Sequence, residues 1–328
     1  MDYLQAIIFG IVEGLTEYIP VSSTGHLILA KSFMGLTQKA IDPYLIVIQS
    51  GAILAVLGLY RKRVLDMIKG LLGKNPIGLK LAINLIIAFL PAAVFGVLLN
   101  DLIDAWLMGP IPVIWALAIG GVLMLFAARW QRNAFHEGQD AKSFIDIEHL
   151  TWKRALIIGL VQCLAMFPGT SRSMVTIVAS MAMGMKPKHA AEFSFLLGLP
   201  TLGGATVYKL IKDADALSTL EIGPMILGII VAFFAAAIAI KWLVAYLSKH
   251  GLALFGWYRI ALAILVAIYF WDGNNASNTP LGGEDTSSTV APVTFENDHC
   301  PAFPVAIHKT PLTITGPTAD CHLPVFTS

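Results

Sequence analysis

Runs of apolar residues long enough to cross a lipid bilayer recur along the chain, at residues 44–60, 81–99, 112–128, 190–210, 225–247 and 252–271. A spanning helix needs roughly 20 mostly apolar residues, because the hydrocarbon admits only segments whose backbone polar groups bond internally. Six such runs predict an all-α polytopic membrane protein with six transmembrane helices. Composition points the same way: 56% of the residues are hydrophobic and only 13% charged, outside the range of ordinary soluble domains. Two further stretches, 4–34 and 155–185, are apolar but interrupted by Glu, Ser, Thr, Gly, Pro, His and Arg. They predict two re-entrant helical hairpins, since broken backbone at membrane depth is tolerated only where protein or an aqueous cavity covers it.

The basic residues fall in groups: Arg61, Lys62, Arg63, Lys69 and Lys74; Arg129, Arg132, Lys142, Lys153 and Arg154; and Lys241, Lys249 and Arg259. Reading all three groups as cytoplasmic loops puts Asp101 and Asp104, and Asp213, Asp215 and Glu221, on the outer side, together with both termini. The segment after Met1 has no basic n-region and carries Glu13 and Glu17, so it reads as mature protein rather than a cleaved signal. A formal net charge of +1 gives no basic field for nucleic acid.

An internal repeat aligns Ile8-Phe9-Gly10-Ile11-Val12-Glu13-Gly14-Leu15 with Ile157-Ile158-Gly159-Leu160-Val161-Gln162-Cys163-Leu164. Each copy is followed by a proline, Pro20 or Pro168, and a Ser/Thr/Gly cluster. Three spans separate the copies, so they are expected to enter from opposite faces and meet near the midplane, as an inverted-topology repeat of about 1–129 and 153–272. The membrane domain is thus expected to cover 1–272. Residues 273–328, rich in Asn, Thr, Ser, Pro and Gly, read as a disordered polar tail. In it Cys300 and Cys321 either pair or stay as thiols; with Cys163 they show no metal-ligand spacing.

Two clusters carry groups suited to chemistry. Glu13 and Glu17, four apart, share a helix face where their carboxylates can converge on a cation, or else sit at a solvated helix end. Pro20 stops that helix, after which Ser22, Ser23, Thr24 and Gly25 offer hydroxyls and free backbone N–H groups to a phosphate, or simply cap the next helix. Glu17, Ser23 and His26 on one short turn supply acid or metal ligand, nucleophile and proton carrier. In the second cluster, Arg172 is flanked by Ser171, Ser173 and Thr176. An arginine at membrane depth needs an anion, which is a bidentate phosphate or the Glu13/Glu17 pair.

The pattern Glu-x-x-x-Glu followed by Pro-Val-Ser-Ser-Thr-Gly-His, with Pro-Gly-x-Ser-Arg-Ser-x-x-Thr later in the chain, resembles the two signature motifs of the undecaprenyl-diphosphate phosphatase, or bacitracin-resistance, family. The likeness covers about 1–271 and includes 46–55 and 192–197; Met174 stands where the family commonly has Gly, and the tail has no counterpart. The resemblance implies hydrolysis of a polyprenyl diphosphate in the bacterial inner membrane, with a site open to the periplasm. It also implies recycling of the lipid carrier for peptidoglycan synthesis, a divalent cation (Mg2+ or Ca2+) on Glu13 and Glu17, and membrane lipid as a partner; the sequence leaves the oligomeric state open, a homodimer being one option. Ser23 or His26 would attack, and Arg172 would clamp phosphate. A rival reading is a lipid-carrier flippase or small-ion transporter built on the same repeat.

Overall fold

The computed structural model describes residues 2–36, 38–106, 110–136, 144–212 and 221–271, all inside one compact unit, Met1–Glu284. The tail 273–328 with Cys300 and Cys321, Lys142, Asp213 and Asp215 lie outside the described residues, as do the side chains of Asp101, Asp104 and Arg132. The described residues are helical: α1 (Tyr3–Tyr18), α2 (Ser23–Phe33), α3 (Gln38–Leu59), α4 (Arg61–Leu71), α5 (Pro76–Trp106), α6 (Pro110–His136), α7 (Trp152–Gln162), α8 (Arg172–Ala182), α9 (Pro187–Lys212), α10 (Ile222–His250) and α11 (Ala253–Trp271).

Five of these, at Pro76–Leu99, Ile111–Gln131, Pro187–Lys212, Ile222–His250 and Ala253–Phe270, are long and apolar enough to cross a membrane. A sixth is reached by joining Pro43–Leu59 to Arg61–Leu71 across a 79° bend. The sequence expectation read Arg61, Lys62, Arg63 and Lys69 as loop residues, but they lie on α4. Arg63 anchors that helix, with Nη1 2.6 Å from Glu148 and Nε 3.1 Å from Glu192. Arg259 also departs from expectation. The sequence pattern groups it with loop lysines, yet it is 0% exposed, because a glycine on α6 leaves room for its guanidinium between two helices.

Each of the two interrupted stretches folds as helix, turn, helix. An Asp2–Gln5 capping box starts α1, each side chain bonding the other residue's backbone N–H. The buried face of α1 carries Ala6, Phe9, Gly10, Glu13, Gly14 and Glu17, the i, i+3, i+4 spacing of a helix with one face against protein. Gly10 and Gly14 bring its backbone onto α10, where a Cβ at either would stand 2.8 Å from the Gly228 carbonyl or 2.5 Å from that of Ala232. Close small-residue contacts of this kind replace the hydrophobic driving force that is missing between helices in lipid. The sequence alignment pairs Gly10 with Gly159, and Gly159 sits just as tightly on α5, its Cβ position 2.4 Å from the Ala88 carbonyl.

The same alignment, extended, pairs Ser22 with Ser171. These are the only non-glycine residues with positive φ among the described residues, at 74° and 70°, with ψ of 100° and 109°. Each is the N-cap of its helix, accepting from the N–H of Gly25 or Met174 at 3.4 Å. A β-carbon in this part of φ/ψ space is strained, and such strain persists only where surrounding contacts fix it.

Candidate active site

The face of α1 that packs on α10 also presents Glu13 and Glu17, which are buried at 3% and 8% exposure. After Tyr18 the helix ends, and the turn through Pro20 delivers the start of α2 beside the last carboxylate. Ser23 Oγ donates to Glu17 Oε2 at 2.8 Å. Ser22, not Ser23, is the cap, so the Ser23 hydroxyl remains available for the carboxylate. Hydrogen bonding to an ionised acceptor polarises the hydroxyl towards its nucleophilic form.

The second turn meets the first. Ser173 Oγ donates to the Ile19 carbonyl at 3.3 Å and lies 3.0 Å from Ser171 Oγ. Arg172, at the start of α8, reaches Glu17 Oε1 with Nη2 at 3.5 Å, the two side chains being 8% and 7% exposed. Its Nη1 donates to the Ser194 carbonyl at 2.9 Å, and its guanidinium carbon lies 5.5 Å from the Tyr18 ring centre. The Arg172 Nε is buried with no hydrogen-bond partner. Glu17 is therefore shared: one oxygen holds the Ser23 hydroxyl and the other faces Arg172. Glu17 and Arg172 are 155 residues apart in sequence.

His26 lies one turn beyond Ser22. Its Nδ1 is 2.8 Å from the Ser22 carbonyl and its Nε2 is 2.7 Å from Tyr258 Oη. Because a carbonyl only accepts, Nδ1 carries the proton; in the neutral ring Nε2 then accepts from the tyrosine hydroxyl. The histidine is thus oriented by the strained serine and by α11. Thr176 is fully buried; its Oγ1 donates to the Arg172 carbonyl at 2.8 Å and lies 2.6 Å from Ser194 Oγ, which fixes α8 against α9. Met174 points into the core and leaves the turn in the same conformation as its glycine-bearing counterpart.

Three residues that sequence reasoning gave no role complete the arrangement: Tyr18 under the guanidinium, Ser194 as its carbonyl partner, and Tyr258 on His26. Tyr18 is inside the first motif and Ser194 inside 192–197, but nothing in a linear pattern shows which way they face. Arg172 also lines a cavity of about 400 Å³ that is otherwise mostly apolar, with Phe89, Ala93, Met166 and Leu202 among its walls. A larger cavity of about 850 Å³, lined by Arg129, Lys186 and Lys249, includes none of Glu17, Ser23, His26 and Arg172. The smaller one includes none of Glu17, Ser23 and His26 and reaches the site through Arg172 alone, with Lys209 a second cation in its lining.

The acidic pair suits a hard cation. Glu13 and Glu17 stand one helical turn apart and supply acceptor-only oxygens. No group of three or more His, Cys, Asp or Glu is poised as a metal cluster among the described residues. Two carboxylates completed by water and phosphate oxygens is the ligand set Mg2+ favours.

The family model described as Bacitracin resistance protein BacA matches residues 6–265. An "Undecaprenyl-diphosphatase" of Sorangium cellulosum is 45% identical over 268 residues, covering 81% of this chain and 86% of the relative. The "Undecaprenyl-diphosphatase 2" of Rhodospirillum rubrum is 43% identical over 271 residues, covering 82% and 96%. An "Undecaprenyl-diphosphatase" of Ectopseudomonas mendocina is 42% identical over 262 residues, covering 80% and 92%.

Proposed function

This chain belongs to the bacitracin resistance protein family, and from that membership we propose that it hydrolyses undecaprenyl diphosphate to undecaprenyl phosphate and inorganic phosphate. The observation that carries the reading at the level of residues is the shared Glu17 carboxylate, with Ser23 on one oxygen and Arg172 on the other. A carrier needs groups that bind; a hydroxyl held against a buried carboxylate is in addition a nucleophile with its base.

The polyprenyl chain lies in the apolar cavity beside Arg172 while the headgroup meets the two turns. Arg172 binds the terminal phosphate, with Ser171, Ser173 and the backbone at Ser23 and Thr24 as neutral donors. Ser22 and Gly25 hold the turn through the cap, and Thr176 holds α8 in place. Ser23 Oγ attacks the terminal phosphorus in line and its proton passes to Glu17. The bond to the bridging oxygen breaks and the lipid monophosphate leaves. Water then attacks the phosphoserine, giving its proton to His26 Nε2 in place of the Tyr258 hydrogen bond; the bond between Ser23 Oγ and phosphorus breaks, Glu17 returns its proton to that oxygen, and inorganic phosphate departs. Glu13 with Glu17 would hold a divalent cation, Mg2+ or Ca2+, which neutralises phosphoryl charge when bound; phosphoryl transfer depends chiefly on such positioning and charge stabilisation.

In the membrane, the two helix–turn–helix units are re-entrant and enter from opposite faces, as halves of an inverted repeat. The matched Gly10 and Gly159 contacts and the matched Ser22 and Ser171 backbones support this. The bent α3–α4 pair is counted as the sixth span. The basic end of α4 faces the cytoplasm, and the site opens to the periplasm of a bacterial inner membrane, where the product is recycled for peptidoglycan synthesis.

Purified full-length protein in detergent is expected to release inorganic phosphate from a polyprenyl diphosphate. Excess chelator should lower the rate at least about 100-fold, the scale of losing one electrostatic stabiliser, and added Mg2+ or Ca2+ should restore it. No release from the wild-type protein would refute the hydrolase reading; full release in chelator would remove the cation from the acidic pair.

A further inference from the structure

Arg259 on α11 is the largest fully buried side chain among the described residues, at 0% exposure. Its Nη2 donates to the carbonyls of Ala116 at 2.8 Å and Gly169 at 2.9 Å. Nε and Nη1 are buried with no hydrogen-bond partner. No carboxylate pairs with this guanidinium among the described residues. The fold is arranged to hold it there, since a Cβ at Gly120 would stand 2.4 Å from Nη2 and 2.9 Å from Cζ. A buried, membrane-depth cation that meets only two carbonyl dipoles is costly until an anion joins it.

The anion it would meet follows from its position. Gly169 belongs to the second turn, three residues before Arg172. The preceding residue, Tyr258, holds His26 at the start of α2, just past the first turn. Consecutive residues of α11 therefore reach the two halves of the site, Tyr258 through His26 and Arg259 through the Gly169 carbonyl. Building on the hydrolase reading above, we propose that Arg259 is a second anion-binding group of the site, donating Nε and Nη1 to one phosphoryl group of the diphosphate while Arg172 takes the other. Two guanidinium groups, one per phosphoryl, would let the protein prefer diphosphate over the monophosphate it releases.

The test uses full-length protein in detergent and two probes, a non-hydrolysable polyprenyl methylene-diphosphonate and inorganic phosphate. Wild type should bind the diphosphonate more tightly. In R259M and R259K its affinity should fall about 10- to 100-fold, the value of a charge-assisted fork, while affinity for inorganic phosphate, which takes the terminal-phosphoryl place at Arg172, changes less than about threefold. R259K keeps the charge and the reach but cannot form a fork, so it carries the test if R259M does not fold. Unchanged diphosphonate affinity would overturn the proposal. So would an equal fall for both probes with a lower melting temperature, which would assign Arg259 to holding the Gly169 turn alone. Wild-type protein that releases no phosphate from a polyprenyl diphosphate would instead remove the hydrolase reading on which this rests.

Discussion

Glu17→Gln is expected to lower the rate of phosphate release by about 10³-fold, within the range for losing a positioned general base. Gln keeps the size of the side chain and its carbonyl can still accept from Ser23, so the helix and its packing on α10 should persist. The change removes the negative charge that polarises the Ser23 hydroxyl and balances Arg172. Arg172 is left with the Ser194 carbonyl and the Tyr18 ring as its remaining neighbours. Phosphate release under single-turnover conditions, with the melting temperature measured on the same sample, checks this. A loss of activity with melting unchanged is the expected outcome; a rate within threefold of wild type would take Glu17 out of the chemistry.

A larger effect is expected for Ser23→Ala. If Ser23 Oγ forms the new bond to phosphorus, its removal leaves only the binding groups, and the rate should drop on the order of 10⁴-fold or more. Folding should be spared. The cap of α2 is Ser22, and Ser23 is only partly buried. Acid-quenched wild-type protein should carry a phosphoryl group on Ser23 during turnover, visible as added mass on the peptide that contains it. Phosphate on His26 instead, with substantial activity in the Ser23→Ala protein, would move the nucleophile to the imidazole.

The sequence already showed much of this, because the features concerned are local. The Glu13/Glu17 spacing puts both acids on one face, Pro20 ends the helix before Ser22, and the second cluster repeats the pattern. What it could not show are contacts between distant segments. That Glu17 sits between Ser23 and Arg172 depends on residues 155 apart in sequence being brought together. Arg259 illustrates the limit in the other direction. A rule that counts basic residues near span ends treats it as a loop cation, whereas its burial depends on Gly120 in another helix. The amphipathic α4 is hidden for a related reason: Arg61, Lys62, Arg63 and Lys69 read as a connecting loop until Arg63 is seen to be tied to Glu148 and Glu192.

The convergence of the two turns on one carboxylate is tested most directly by a double-mutant cycle on kcat/KM using Glu17→Gln, Arg172→Lys and the double variant. Residues acting as one unit lose far less together than the product of their separate effects. The double variant is expected to be about as slow as the slower single variant, a coupling of at least about 1.5 kcal/mol. Losses that multiply in full, with all three proteins folded, would mean that Glu17 and Arg172 act independently and would contradict a shared site.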